Sequence, residues 1–134
     1  MNYQQYIPLI VEELKKAEPE KIILFGSYAY GNPNNDSDLD ILVISNDDEM
    51  PNSFEEKNKI YQRIARLIDN FRAKIPIDLI VHTKPMHQIF NEKNSLFAQE
   101  INKMGITLYT KSLSNSWSLF RMTGWKVPNP TLQS

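Results

Sequence analysis

The chain contains no cysteine. This excludes disulfides, thiol catalysis and cysteine-ligated zinc together. No stretch approaches the ~20 consecutive apolar residues of a membrane span. The first ten residues, MNYQQYIPLI, lack the basic start and long apolar run of a secretory signal. A charge excess is missing as well. Fifteen Lys and Arg stand against 16 Asp and Glu, for a net charge of -1. A duplex gripped through its phosphates needs a basic surface, so stable nucleic-acid binding is not expected. What remains is 134 residues, 41% apolar and 23% charged. That is one domain's worth of sequence, near the globular norm. A chain of this size buries roughly 68% of its unfolded surface and needs no covalent staples. The expectation is a cytoplasmic domain with no membrane contact. The sequon Asn35-Asp36-Ser37 is then never glycosylated.

The charge is uneven. No Lys or Arg lies between Lys21 and Lys57, whereas Asp36, Asp38, Asp40, Asp47, Asp48, Glu49, Glu55 and Glu56 all do. Carboxylates packed without local cations call for an outside cation, such as a divalent metal. Nothing acidic follows Glu100, while Lys103, Lys111, Arg121 and Lys126 do.

There is no internal repeat and no low-complexity tract. Ile7, Ile10, Val11 and Leu14 follow helical spacing, with Pro8 tolerated in the first turn and Pro19 as a stop. Lys21 to Phe25 is a short isoleucine-rich run and a buried strand candidate. Gly26-Ser27 breaks it, a helical turn is possible at Tyr28 to Tyr30, and a Pro/Asn/Asp-rich loop follows. Leu39 to Ile44 is a second strand. Ser53 and Glu56 suggest a capping box that opens a long helix with Ile60, Ile64, Leu67, Ile68 and Phe71 on its apolar face. Ile77 to His82 is a third strand. Short helices are expected near Pro85 to Asn91 and Ser95 to Met104, with Gly105 as a C-cap glycine before a fourth strand at Ile106 to Tyr109. Strands alternating with helices predict an α/β or α+β fold, a small sheet flanked by helices.

The tail after residue 110 differs. It is serine-rich, carries Trp117, Phe120 and Trp125, and ends near Pro128-Asn129-Pro130. The expected division is a domain over 1–110 and a tail over 111–134. The tail is either a ragged terminus or a partner-docking arm, since Trp, Phe and Arg are common interface anchors. If it is an arm, deletion of 112–134 weakens partner binding.

The chemistry concentrates in Phe25 to Val43, FGSYAYGNPNNDSDLDILV. Gly26 lets a phosphate approach the backbone. The N–H groups after it and the Ser27 hydroxyl can donate to phosphate oxygens. Asp38 and Asp40 stand at i and i+2 at a strand start, so both leave one face, roughly 6.5–7 Å apart at Cα. Such a pair can bracket two metal ions about 3.5–4 Å apart. Asp78 begins the third strand and points away from Ile77, Leu79 and Val81. If that strand neighbours the Asp-x-Asp strand, three carboxylates converge and suit Mg²⁺ or Mn²⁺. His82 shares a face with Asp78. His82 and His87 are five apart, off the helical ligand spacing and away from any ligand cluster. Lys84, after the third strand, is placed either to reach a phosphate or to face solvent, and Tyr28 and Tyr30 either to line a nucleotide pocket or to pack on the sheet.

The order is strand, Gly-Ser, ten residues, Asp-x-Asp on a strand, helix, then Asp on a strand. It resembles the nucleotidyltransferases of the DNA polymerase β superfamily, specifically the minimal nucleotidyltransferase (MNT) domains. Gly26, Ser27, Asp38, Asp40 and Asp78 match that family's signature without a gap, and the resemblance covers about residues 8 to 110. It implies a mixed sheet flanked by helices, with ATP as donor. It also implies that Gly26 and Ser27 hold the β- and γ-phosphates and that Asp38 and Asp40 bind both metals. Asp78 completes the catalytic metal site and helps deprotonate the attacking hydroxyl. Domains similar to this one often serve as antitoxins to HEPN-domain ribonuclease toxins, bind them, and transfer AMP to a toxin tyrosine. The resemblance therefore implies that partner. A small-molecule acceptor and a non-catalytic, binding-only antitoxin are the alternatives.

Overall fold

The computed structural model describes residues 2–111. The tail read as a docking arm lies, apart from Lys111, outside the described residues. Helix α1 (Ile7–Leu14) carries its proline in the first turn and buries Ile10 and Leu14. A 3-10 turn and a left-handed Glu18 end it, just before Pro19. Strand β1 (Lys21–Phe25) follows, then the one-turn helix α2 (Ser27–Tyr30) and strand β2 (Leu39–Ile44). Helix α3 (Phe54–Ala65), a 3-10 turn and the short α4 (Asp69–Arg72) lead to strand β3 (Ile77–His82). Helices α5 (Lys84–Lys93) and α6 (Leu96–Met104) precede strand β4 (Ile106–Thr110).

The four strands form one sheet in the order β3-β2-β1-β4. β1 runs antiparallel to β2 and β4, while β2 and β3 are parallel. The mixed sheet flanked by helices is the fold expected. Parallel pairing of β2 with β3 needs a crossover, which α3 and α4 supply.

Both faces of the sheet are covered, so β2 is buried on each side. Leu39, Ile41 and Val43 join Ile10, Leu14, Ile22, Ile64 and Ile68 in one cluster, under α1 and α3. Leu42 and Ile44 join Ile23, Phe25 and Ile101 in a second cluster, with Phe90 of α5 packed against it. The alternation that places Leu39, Ile41 and Val43 in the core is correct. The opposite face is open only at its end, where Asp40 sits.

Three local readings change. The long second helix is broken: its apolar side continues, but through a 3-10 turn at Arg66–Ile68 rather than unbroken α-helix. Ser53 caps α3 by accepting from Glu56 N. The Glu56 carboxylate reaches past the cap to accept from Asn52 N at 2.9 Å, so the box is not reciprocal. Gly105 is the C-cap of α6 as expected, but in an extended rather than a left-handed conformation. Its reason is space: a Cβ there would meet the Ile101 carbonyl oxygen at 2.5 Å and Ile23 Cγ2 at 3.0 Å.

Candidate active site

Strand pairing sets two of the five candidate positions, Asp40 and Asp78, side by side, and the other three follow or precede paired strand ends. Antiparallel β1 ends where β2 begins, with Phe25 opposite Asp40. Parallel β3 starts beside them, with Leu39 opposite Ile77 and Asp40 opposite Asp78. Gly26, just after β1, therefore adjoins the start of β2, with the start of β3 on the far side of that strand. Asp38 lies one residue before β2, and Ser27 opens α2 directly after Gly26.

Gly26 is needed for two reasons. Its φ of 75° and ψ of -164° belong to a region that is essentially glycine-only. Its Cα also faces the Asp40 side chain: a Cβ would lie 2.8 Å from Asp40 Cγ and closer still to Oδ2. The glycine is a cradle for the Asp40 carboxylate. Its carbonyl accepts from Ala29 N and Tyr30 N at 2.9 and 3.0 Å, which closes the α2 turn.

Electrostatics singles out Asp40. Burial comes first, then the charges of Asp78 and Asp38, and together they push its carboxyl up to about 6. Both neighbouring aspartates thus act on it at close range. Asp38 and Asp78 are exposed, as expected of a strand end, whereas Asp40 is half-buried. Asp40 leaves the same face as Asp38 but sits deeper, against Gly26 and beside the apolar cover on that face. Among the described residues, no three His, Cys, Asp or Glu groups lie close enough together to form a ready-made metal cage. The donors at this corner are nevertheless all carboxylate oxygens, the ligands of hard cations such as Mg²⁺ and Mn²⁺. Burial contributes most to the rise at Asp40, and the two neighbouring carboxylates add to it. In donor type and charge, the corner fits a divalent cation.

The chain belongs to the polymerase β nucleotidyltransferase family. The family described as "Polymerase beta, Nucleotidyltransferase" matches residues 9–113, most of the chain and all of the sheet. The chain is also 30% identical, over 91 residues, to the protein named "Putative protein adenylyltransferase MJ0141" of Methanocaldococcus jannaschii. That alignment covers 68% of this chain and 87% of the relative. A crystal structure named as a nucleotidyltransferase from Sulfolobus solfataricus shares the fold, with a TM-score of 0.52 at 24% identity over 81% of this chain and 80% of that one. A toxin-antitoxin crystal structure with AMP-PNP is similar at 20% identity and a TM-score of 0.44, over 91% and 88% of the two chains. That likeness is too distant to bear on function.

The other expectations fare differently. Tyr30 donates to Glu100 Oε2 of α6 at 2.7 Å, and Tyr28 accepts from Tyr3 N at 3.0 Å. Lys84 lies past the far end of β3, 3.3 Å from Asp48 and 3.8 Å from Glu20, away from the aspartates. His82 and His87, off the helical ligand spacing, meet across a turn: Nδ1 to Nδ1 is 3.1 Å. Thr83 caps α5 between them and turns the chain so that the first helical turn folds back over the strand end. An aromatic row then runs from this pair through Phe90 and Phe97 to Phe25. Sequence spacing within one element could not reveal a row assembled from four.

Proposed function

We propose that this protein transfers AMP from ATP to a protein hydroxyl, through the corner formed by Gly26, Ser27, Asp38, Asp40 and Asp78. The observation that carries the reading is the register that sets Asp40 beside Asp78 and against Gly26. The phosphate-approach glycine and the carboxylates then serve one reacting centre. Family membership and the relative's name, a protein adenylyltransferase, support the reaction class and point to a protein acceptor.

In this reading Gly26 leaves room for the donor's terminal phosphates, and Ser27 and the α2 backbone N–H groups donate to their oxygens. Asp38, Asp40 and Asp78 would hold the divalent cations. When bound, those cations lower the pKa of the attacking hydroxyl and neutralise charge on the phosphates. Asp78 accepts the hydroxyl proton as the acceptor oxygen bonds to the α-phosphorus. The bond from the α-phosphorus to the bridging oxygen breaks, and pyrophosphate leaves with that oxygen. The acceptor we propose is a tyrosine of a HEPN-domain ribonuclease toxin, with this chain as its antitoxin. The resemblance to antitoxin MNT domains supports that choice.

The test is transfer of label from α-phosphate-labelled ATP with Mg²⁺, in the presence of the neighbouring gene's product. Label on a tyrosine of that product, lost in the Asp38→Asn/Asp40→Asn variant, is expected. Label on a small molecule would replace the acceptor. A stable complex without label would replace catalysis by binding alone, and full activity in the double variant would refute the site.

A further inference from the structure

Helix α6 is fixed against the Gly-Ser turn at two points. Phe97 in its first turn packs edge-on against Phe25, with ring centroids 5.6 Å apart at 78°. Glu100, three residues on and on the same side of the helix, accepts the Tyr30 hydroxyl at 2.7 Å. One contact grips the residue before Gly26, and the other grips the turn after it. Phe25 is also the register partner of Asp40. Phe97 therefore stands one ring away from the carboxylate corner.

The two phenylalanines differ in exposure. Phe25 is 5% exposed, whereas Phe97 is 42% exposed and Leu96 beside it 83% exposed. Phe90 braces Phe97 from a second side, with centroids 5.9 Å apart at 84°. The Phe97 ring is thus held in place yet open, an apolar shelf against Phe25, whose register partner Asp40 belongs to the polar corner. A ligand that satisfies both has a phosphate end and a flat apolar end. A nucleotide has this shape, and pre-set contacts of this kind lower the ordering cost of binding.

We propose that Phe97, flanked by Leu96, is the shelf on which the donor's nucleobase rests. The inference rests on the ATP-donor reading above. Stacking of this kind reads ring area rather than hydrogen-bonding edges, so ATP and GTP use the shelf alike.

The experiment compares binding of ATP, GTP and inorganic tripolyphosphate to the full chain in Mg²⁺, by calorimetry. The proteins are wild type, Phe97→Ala, Phe97→Trp and Phe97→Leu; the last keeps apolar packing against Phe25 without a flat ring. The expected result is a loss of roughly 5- to 150-fold for ATP and GTP in Phe97→Ala, the range that base stacking spans. Phe97→Leu shows a smaller loss, Phe97→Trp keeps wild-type affinity, and tripolyphosphate binding is the same in all four. Unchanged ATP affinity in both Phe97→Ala and Phe97→Leu overturns the shelf, including the case in which an acceptor's aromatic ring sits there instead. Equal weakening of ATP and tripolyphosphate also overturns it, since the ring would then only brace the Gly-Ser turn. If wild type binds neither ATP nor tripolyphosphate, the donor reading itself fails and the shelf falls with it.

Discussion

Substituting Gly26 by alanine tests the contact on which the corner depends. Alanine at φ 75°, ψ -164° carries backbone strain of about 1–3 kcal/mol. The new Cβ would also lie 2.8 Å from Asp40 Cγ, so the carboxylate must turn away, at a further ~0.5–1.5 kcal/mol if it leaves its rotamer. The sum is about 2–4 kcal/mol, out of the 5–15 kcal/mol typical of a domain. The variant should therefore still fold, with a clearly lower urea midpoint. In an Asp40→Ala background the carboxylate is gone, and the cost of Gly26→Ala should fall toward the strain alone. A double-mutant cycle should then show about 1 kcal/mol of coupling. Nucleotide transfer in Gly26→Ala should drop at least ~100-fold, because small misplacements of a reacting group cost that much. A stability loss below about 0.5 kcal/mol, the level of an ordinary surface change, or additive effects in the cycle, would refute the cradle argument.

Other perturbations have defined signs. Asp40 has its folded pKa raised from 3.8 to about 6, so its charge opposes folding above pH 6 and this penalty disappears as pH falls toward 3.8. Asp40→Asn, in EDTA, should raise stability at pH 8 by on the order of 1 kcal/mol once solvent screening is allowed for; the gain should vanish at pH 4, and a destabilised variant at pH 8 would contradict this. The His82–His87 pair behaves oppositely. Burial, then His87 and Lys57, hold His82 down to about 4, while burial and then Lys21 lower His87. The His82 contribution is present above pH 6.5 and is lost as pH falls from 6.5 toward 4, and His87 acts in the same direction. NMR titration should find the His82 ring neutral down to about pH 4, and a midpoint near 6.5 would overturn its buried placement. Ser53→Ala removes the oxygen that accepts from Glu56 N and should cost about 1 kcal/mol in urea unfolding.

Much of the fold was legible because local pattern and tertiary context agree. The strands at Lys21–Phe25, Leu39–Ile44 and Ile77–His82 are isoleucine-rich runs bounded by Gly, Asp or Pro, and they form where expected. The motif spacing also located the corner, since Gly-Ser and Asp-x-Asp fall at the paired ends of β1 and β2. The burial of Asp40 was hidden because it depends on what covers the second face of the sheet, and the sequence does not assign α6 to that face. The same ignorance concealed the contacts from Phe97 to Phe25 and from Tyr30 to Glu100, which join residues 72 and 70 positions apart. The histidine pair was missed for a local reason. A strand end and a capped helix start fold back on each other at Thr83, and no single periodicity describes that turn.

The central claim is that the corner moves an adenylyl group rather than a phosphoryl group. Parallel reactions with α-labelled and γ-labelled ATP, Mg²⁺ and the candidate acceptor measure this directly, with released pyrophosphate counted beside them. The account predicts label on the acceptor only from the α position, one pyrophosphate per AMP transferred, and neither in Asp40→Asn. Acceptor labelled from γ-labelled ATP, or undiminished transfer in Asp40→Asn, would contradict it.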